Sequence, residues 1–109
     1  MSDATPVRGG VYTYLGIRRS EFIVVSVDAL NAAGTVIVLE VTDRVPEDVR
    51  GLLAVELTAA DPLPGRWVLC WRINYAAAER FDVAGCHGIA TEETMTKILS
   101  SVRSAIEPL

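Results

Sequence analysis

With 109 residues, half of them apolar, and a positive mean hydropathy, the chain is too apolar for a disordered segment and has room for one core. A formal charge of −4 and a pI near 4.9 argue against a generic nucleic-acid coat, which is usually basic, while the apolar surplus points to a subunit interface and a homodimer. No apolar run approaches the roughly 20 residues that cross a bilayer, residues 1–10 lack a signal-peptide core, and Cys70 and Cys86 read as reduced thiols, so a cytoplasmic, non-membrane protein is expected.

Residues 1–7 read as a polar tail and 8–109 as a single domain. Val11 to Leu15 alternates and is rich in β-favouring residues, which predicts a first strand, and Gly16 to Glu21 predicts a charged turn. Phe22 to Val27 is a continuous apolar strand of the kind buried on both faces. A helical turn follows over Asp28 to Asn31, with Ser26 or Asp28 as its cap, and Thr35 to Val41 returns as a β-branched strand. Thr42 to Gly51, with Pro46 and five charged residues, reads as a loop; Leu52 to Thr58 is strand-like; Asp61 to Gly65 is a proline-broken turn. In the next strand, Trp67 to Ile73, alternation puts Trp67, Leu69, Trp71 and Ile73 on one face and Val68, Cys70 and Arg72 on the other. Thr91 opens the one long helix, with Glu92 and Glu93 near its positive end and an apolar stripe of Met95, Ile98, Leu99, Val102, Ala105 and Ile106. These elements predict an α+β fold, a small SH3-like curved β-sheet or barrel closed by the C-terminal helix.

Cys70, Cys86 and His87 are residue types that bind zinc, but Cys86 and His87 are adjacent and in a strand would face opposite ways, so the plain reading is a buried thiol and a partly exposed imidazole, with no metal. Arg8-Gly9-Gly10 precedes a strand rather than a helix, the wrong context for a nucleotide loop, and no cofactor is expected. Trp67 and Trp71 could stack bases but read more simply as core or interface anchors. From Ala4 to Ser20 there are three arginines, Arg8, Arg18 and Arg19, and no acid, and nine of the ten basic residues are arginine, whose planar fork suits phosphate. Arg18-Arg19-Ser20-Glu21 and Thr42-Asp43-Arg44 lie at the ends of strands expected to be neighbours, so guanidinium and hydroxyl groups could converge on one cleft and hold a phosphate.

With these residues in view, the chain resembles the MazF/PemK family of toxin endoribonucleases, whose relatives include the gyrase poison CcdB. The resemblance rests on Arg8-Gly9-Gly10-Val11-Tyr12, on the apolar run and Ser-x-Asp-x-x-Asn pattern ending at Asn31, on Thr35 to Thr42, and on Gly88 to Ile106. It implies a MazF/CcdB-like fold, a homodimer, a small antitoxin partner, and metal-independent cleavage of single-stranded RNA at short sequences, in which the 2′-OH attacks the adjacent phosphate. Thr42 matches the family's catalytic threonine. The family's arginine, usually followed by proline, aligns with Ser20 and Glu21; Arg19, one residue earlier, is the candidate to serve, with Thr42 assisting and Arg8, Arg18, Ser20 and Arg44 holding RNA. The rival expectation is a catalytically degenerate binder on the same scaffold, either a topoisomerase poison or an antitoxin-binding module.

Overall fold

The computed structural model describes residues 5–16 and 18–107; residues 1–4 of the expected polar tail lie outside them. Six antiparallel strands, β1 (Gly10–Leu15), β2 (Arg19–Val24), β3 (Thr35–Thr42), β4 (Ala54–Glu56), β5 (Trp67–Ala77) and β6 (Gly88–Ile89), form one curled sheet in the order β4-β5-β3-β2-β1-β6. A short helix, α1 (Asp28–Ala32), joins β2 to β3, and the long helix α2 (Glu92–Ile106) packs on β4, β5 and a 3-10 turn, Val49–Leu53. The result is the expected α+β arrangement, a half-barrel with a helix on one face.

The two faces of the sheet carry separate cores. Under α2, Val11, Ile23, Leu39, Val41, Val68 and Cys70 meet Leu57, Met95 and Ile98; on the opposite face Tyr12, Val24, Val36 and Val38 meet Ala78 and Phe81. The second core is framed by Tyr14, Phe22 and Phe81, whose rings meet edge to face at centroid distances of 5.4 to 6.1 Å. β1 enters the sheet through Gly9, at φ 86°, and Gly10, where a Cβ would lie 2.5 Å from the Tyr12 ring. The glycine pair is therefore structural: one residue supplies the left-handed turn and the other leaves room for a buried tyrosine. The Tyr12 hydroxyl in turn accepts the Val7 N–H at 2.9 Å, which ties residues just ahead of β1 to the core.

Several boundaries differ from the sequence expectation. β2 starts three residues early, because the hairpin with β1 carries its ladder through Arg19, and it ends at Val24. Neither Ser26 nor Asp28 caps α1, whose N-cap is Val27 without a side-chain bond. Ser26 is buried and instead donates to Asn31 Oδ1 and accepts the Ile37 N–H at 2.9 Å, while Asp28 accepts the Arg8 N–H at 3.0 Å. The Ser-x-Asp-x-x-Asn pattern is thus a clasp between β2, α1 and β3. Leu52 and Leu53 lie in the 3-10 turn, capped by Asp48, so β4 is only three residues long.

β5 runs on to Ala77, and its simple alternation fails. Leu39 pairs with Ile73 but Val41 with Val68, so five steps of β5 oppose two of β3, and the irregularity returns Ile73 to the Val68 face. In α2 the stripe is buried only in its first half. Met95 and Ile98 are buried and Val102 is half-buried against the core, whereas Ala105 is exposed and Ile106 64% exposed. No helix among the described residues is long and apolar enough to cross a membrane.

Candidate functional site

The β1–β2 hairpin sets the register Leu15↔Arg19, Tyr14↔Ser20, Thr13↔Glu21, and β2 continues onto β3 through Glu21↔Val41. Alternation then gives Arg19 and Glu21 to one face and Ser20 to the other, and the next step beyond Glu21↔Val41 brings Ser20 opposite Thr42. On its other side Thr42 pairs with Trp67 of β5. Thr42 therefore sits at the end of three adjacent strands.

A cavity of about 220 Å³ at this strand end is lined by Arg19, Ser20, Glu21, Glu40, Thr42 and Arg66, among others. Arg19 and Thr42 both border this cleft, although the register gives their side chains to opposite faces of the sheet. Thr42 also borders a second, larger cavity of about 500 Å³ with Arg44, Arg50, Trp71 and Arg72. The Thr42 hydroxyl accepts the Arg44 N–H at 3.4 Å, a long bond that leaves its own proton free to donate.

Arg8 does not join them. Gly9 N–H bonds to Val24 O at the far end of β2 from Arg19, about 17 Å away at a rise of ~3.3 Å per strand residue. The Arg8 side chain lines a different cavity, with Ile89, Glu92 and Met95. Arg18 is exposed in the hairpin turn and borders neither cleft.

Charge pairing organises the strand end. The Glu21 carboxylate, with its side chain 15% exposed, takes Arg66 Nη1 on Oε1 at 3.2 Å and lies 3.6 Å through Oε2 from Arg19 Nε. The Thr13 hydroxyl is 3.3 Å from the same Oε2 and 3.0 Å from His87 Nε2. Glu40 is paired with Arg72 at 3.0 Å and Asp48 with Arg50 at 2.7 Å. Arg44 has no ion-pair partner among the described residues. An acidic chain thus sets Arg19 and Arg66 at one cavity and Arg44, Arg50 and Arg72 at the other, with Thr42 bordering both and Glu21, Glu40 and Asp48 held in ion pairs.

Arg50, Arg66 and Arg72, which line these cavities, were not singled out by the sequence, whereas Trp71 was weighed there as a base-stacking residue. The signal that could have found Arg66 is its place one residue before Trp67, but only the β3–β5 register makes that position a neighbour of Thr42. The cysteines take no part. Cys70 is buried, and that burial pushes its thiol up to about 11, so it is an unreactive core residue. Cys86 is exposed, and the described residues contain no cluster of three or more metal-ligating side chains.

Comparisons with known proteins agree with this architecture. By sequence, no curated protein matches the chain. Among solved structures it is similar to a mycobacterial endoribonuclease in complex with its cognate antitoxin, at 26% identity over 99% of both chains with a TM-score of 0.79. It also shares its fold with a chain of the MazE-MazF crystal structure from Deinococcus radiodurans, at 18% identity over 96% of this chain and 98% of that one with a TM-score of 0.78. The Mycobacterium tuberculosis toxin MazF-mt6 has the same fold, at 11% identity over 88% and 94% of the two chains with a TM-score of 0.73. The family model described as PemK-like, MazF-like toxin of type II toxin-antitoxin system matches residues 17–106, and the chain belongs to that family.

Proposed function

We propose that this chain is the toxin of a type II toxin-antitoxin pair and acts as an endoribonuclease on single-stranded RNA at short sequences. The observation that carries the reading is the strand-end cleft, where Arg19 and Thr42 border one cavity on the scaffold of a toxin family. In the proposed reaction the 2′-oxygen forms a bond to the adjacent phosphorus and the bond to the 5′-oxygen breaks. The 2′ proton passes to water and the departing 5′-oxygen takes one up, leaving a cyclic phosphate and a 5′-OH. The nucleophile belongs to the substrate, so the chemistry asks the protein mainly for donors aimed at the phosphate, and it calls for no metal.

In this reading Arg19 binds the phosphate and Thr42 donates its hydroxyl to a non-bridging oxygen. Ser20, opposite Thr42, and Arg18 and Arg44 hold the flanking strand; Arg8, which opens onto another cavity, is left out. A homodimer and a small antitoxin are the proposed partners. Exposed Val49, Leu52, Ile73 and Tyr75 supply apolar surface for them.

The test is to incubate purified protein with a long single-stranded RNA. Fragments with a cyclic phosphate at one new end and a 5′-OH at the other are expected, and Thr42→Ala should lower the rate at least about tenfold with the fold unchanged. The second reading, a degenerate binder, is favoured by Ser20 standing where the family has arginine. Intact RNA from a protein that still arrests growth on expression would reject the nuclease and leave the binder.

A further inference from the structure

We propose that Arg66, from the turn that leads into β5, is the main phosphate-gripping residue of the cleft, with Glu21 as its positioning residue; the inference rests on the nuclease reading. Three observations carry it. Arg66 borders the same cavity as Thr42, and its neighbour Trp67 is the direct strand partner of Thr42. A guanidinium has five N–H donors in a fixed fork, and the Glu21 bond is made through Nη1, so donors remain to face the cavity. The side chain is also better held than its rival: Arg66 is 43% exposed and anchored at 3.2 Å, whereas Arg19 is 77% exposed and touches Glu21 only at 3.6 Å.

Glu21 then has a purpose that its charge alone would not suggest. An acid beside a phosphate site repels the ligand, but this one is bracketed by two guanidinia and a threonine hydroxyl. Holding Arg66 in one rotamer before RNA arrives removes the ordering cost of a long side chain from the binding step. Where the family has an arginine on β2, this chain has Ser20, and the Arg66 guanidinium, from the turn ahead of β5, supplies a fixed positive group at the cavity that Thr42 also borders.

The experiment measures kcat and KM on a long single-stranded RNA for the wild type, Arg66→Ala, Arg66→Lys, Arg19→Ala, Glu21→Gln and the Glu21→Gln/Arg66→Ala double variant, with thermal melts alongside. Arg66→Ala is expected to lower kcat about 100-fold, the loss typical of one preorganised donor, and millimolar guanidinium chloride should restore part of it. Arg19→Ala should cost about tenfold, and Glu21→Gln about tenfold in the wild type but nothing further in the double variant, because it acts through Arg66. If Arg66→Ala does not fold, Arg66→Lys decides, since an ammonium cannot hold Glu21 and phosphate in a planar fork and should lose at least tenfold. Wild-type kcat in either Arg66 variant, a loss that guanidinium does not relieve, or a deeper loss for Arg19→Ala overturns the inference. A wild type that cleaves no RNA instead removes the nuclease reading, and this inference with it.

Discussion

Asp61 and Glu21 are both carboxylates largely withdrawn from water, yet they are satisfied by different chemistry. Asp61, 6% exposed, accepts Thr58 N–H and Thr58 Oγ1 at 2.8 Å, Thr91 N–H at 2.9 Å and Thr94 Oγ1 at 2.6 Å, all neutral donors on two fixed segments. Glu21 takes two arginines and one hydroxyl at the border of a cavity. A carboxylate met by backbone and threonine groups locks a turn to a helix N-terminus, since those donors have nowhere else to go. A carboxylate met by arginines aims cations, whose spare donors still face solvent. Burial and a negative charge do not by themselves separate a structural acid from the positioning acid proposed for Glu21; the donors each one meets are what differ.

The contrast breaks most visibly on deletion. Asp61→Ala strands the buried Thr94 hydroxyl and the Thr91 N–H and uncouples the Thr58 turn from α2, so about 3 kcal/mol of stability should be lost, read as the denaturant midpoint. A shift under 1 kcal/mol would mean that the turn and the helix are held by packing alone. Acid should expose the same difference. Burial raises the Asp61 carboxyl, but the bonds from Thr94, Thr91 and Thr58 outweigh it and hold it at about 2, below its ordinary 3.8. The unfolded chain therefore takes up this proton at higher pH than the folded one. The stabilisation is fully present above about pH 4 and fades as pH falls through 3.8 towards 2, a loss of about 2 kcal/mol at 1.36 kcal/mol per unit. Asp61→Asn should flatten that part of the stability profile relative to the wild type, and superimposable profiles would refute the assignment.

What could be read from the sequence divides along the same line. The fold class, the strand cores at Val11 to Leu15 and Thr35 to Val41, and the helix from Thr91 follow from local periodicity and capping, which need no knowledge of partners. Thr91 does cap α2, accepting the Thr94 N–H at 3.2 Å. The bulge in β5, the pairing of β6 with Gly10 and Val11, and the Tyr14↔Phe81 bridge depend on which distant strands meet, so alternation within one segment could not give them. Arg19 and Thr42 could be proposed from the sequence because each lies by the end of a recognisable strand and the family resemblance points to that strand end. Arg66 and Arg72 were not, because an arginine in a turn and one on an irregular strand look like ordinary solvated charges until the register brings them beside Thr42 and Glu40. Asp61 was hidden for the opposite reason: a turn cluster with two prolines accounts for an aspartate without any tertiary role.

The smallest effect discriminates most sharply. Glu21→Gln keeps the shape of the side chain, turns one of its two acceptor oxygens into an N–H₂ and removes the charge that gathers Arg19 and Arg66, two groups that stay partly solvated in the folded state. Ion pairs so exposed contribute little, so its stability should fall within about 1 kcal/mol of the wild type. The comparison is Asp61→Asn, where an amide N–H₂ must replace one of two oxygens that accept four hydrogen bonds between them, and a clearly larger loss is expected. If Glu21→Gln proved as destabilising as Asp61→Asn in the same melts, the strand-end arginines would be bracing the hairpin against β5. The cleft beside Thr42 would then be a by-product of that brace, and the case for Glu21 as an aiming group would have to rest on turnover alone.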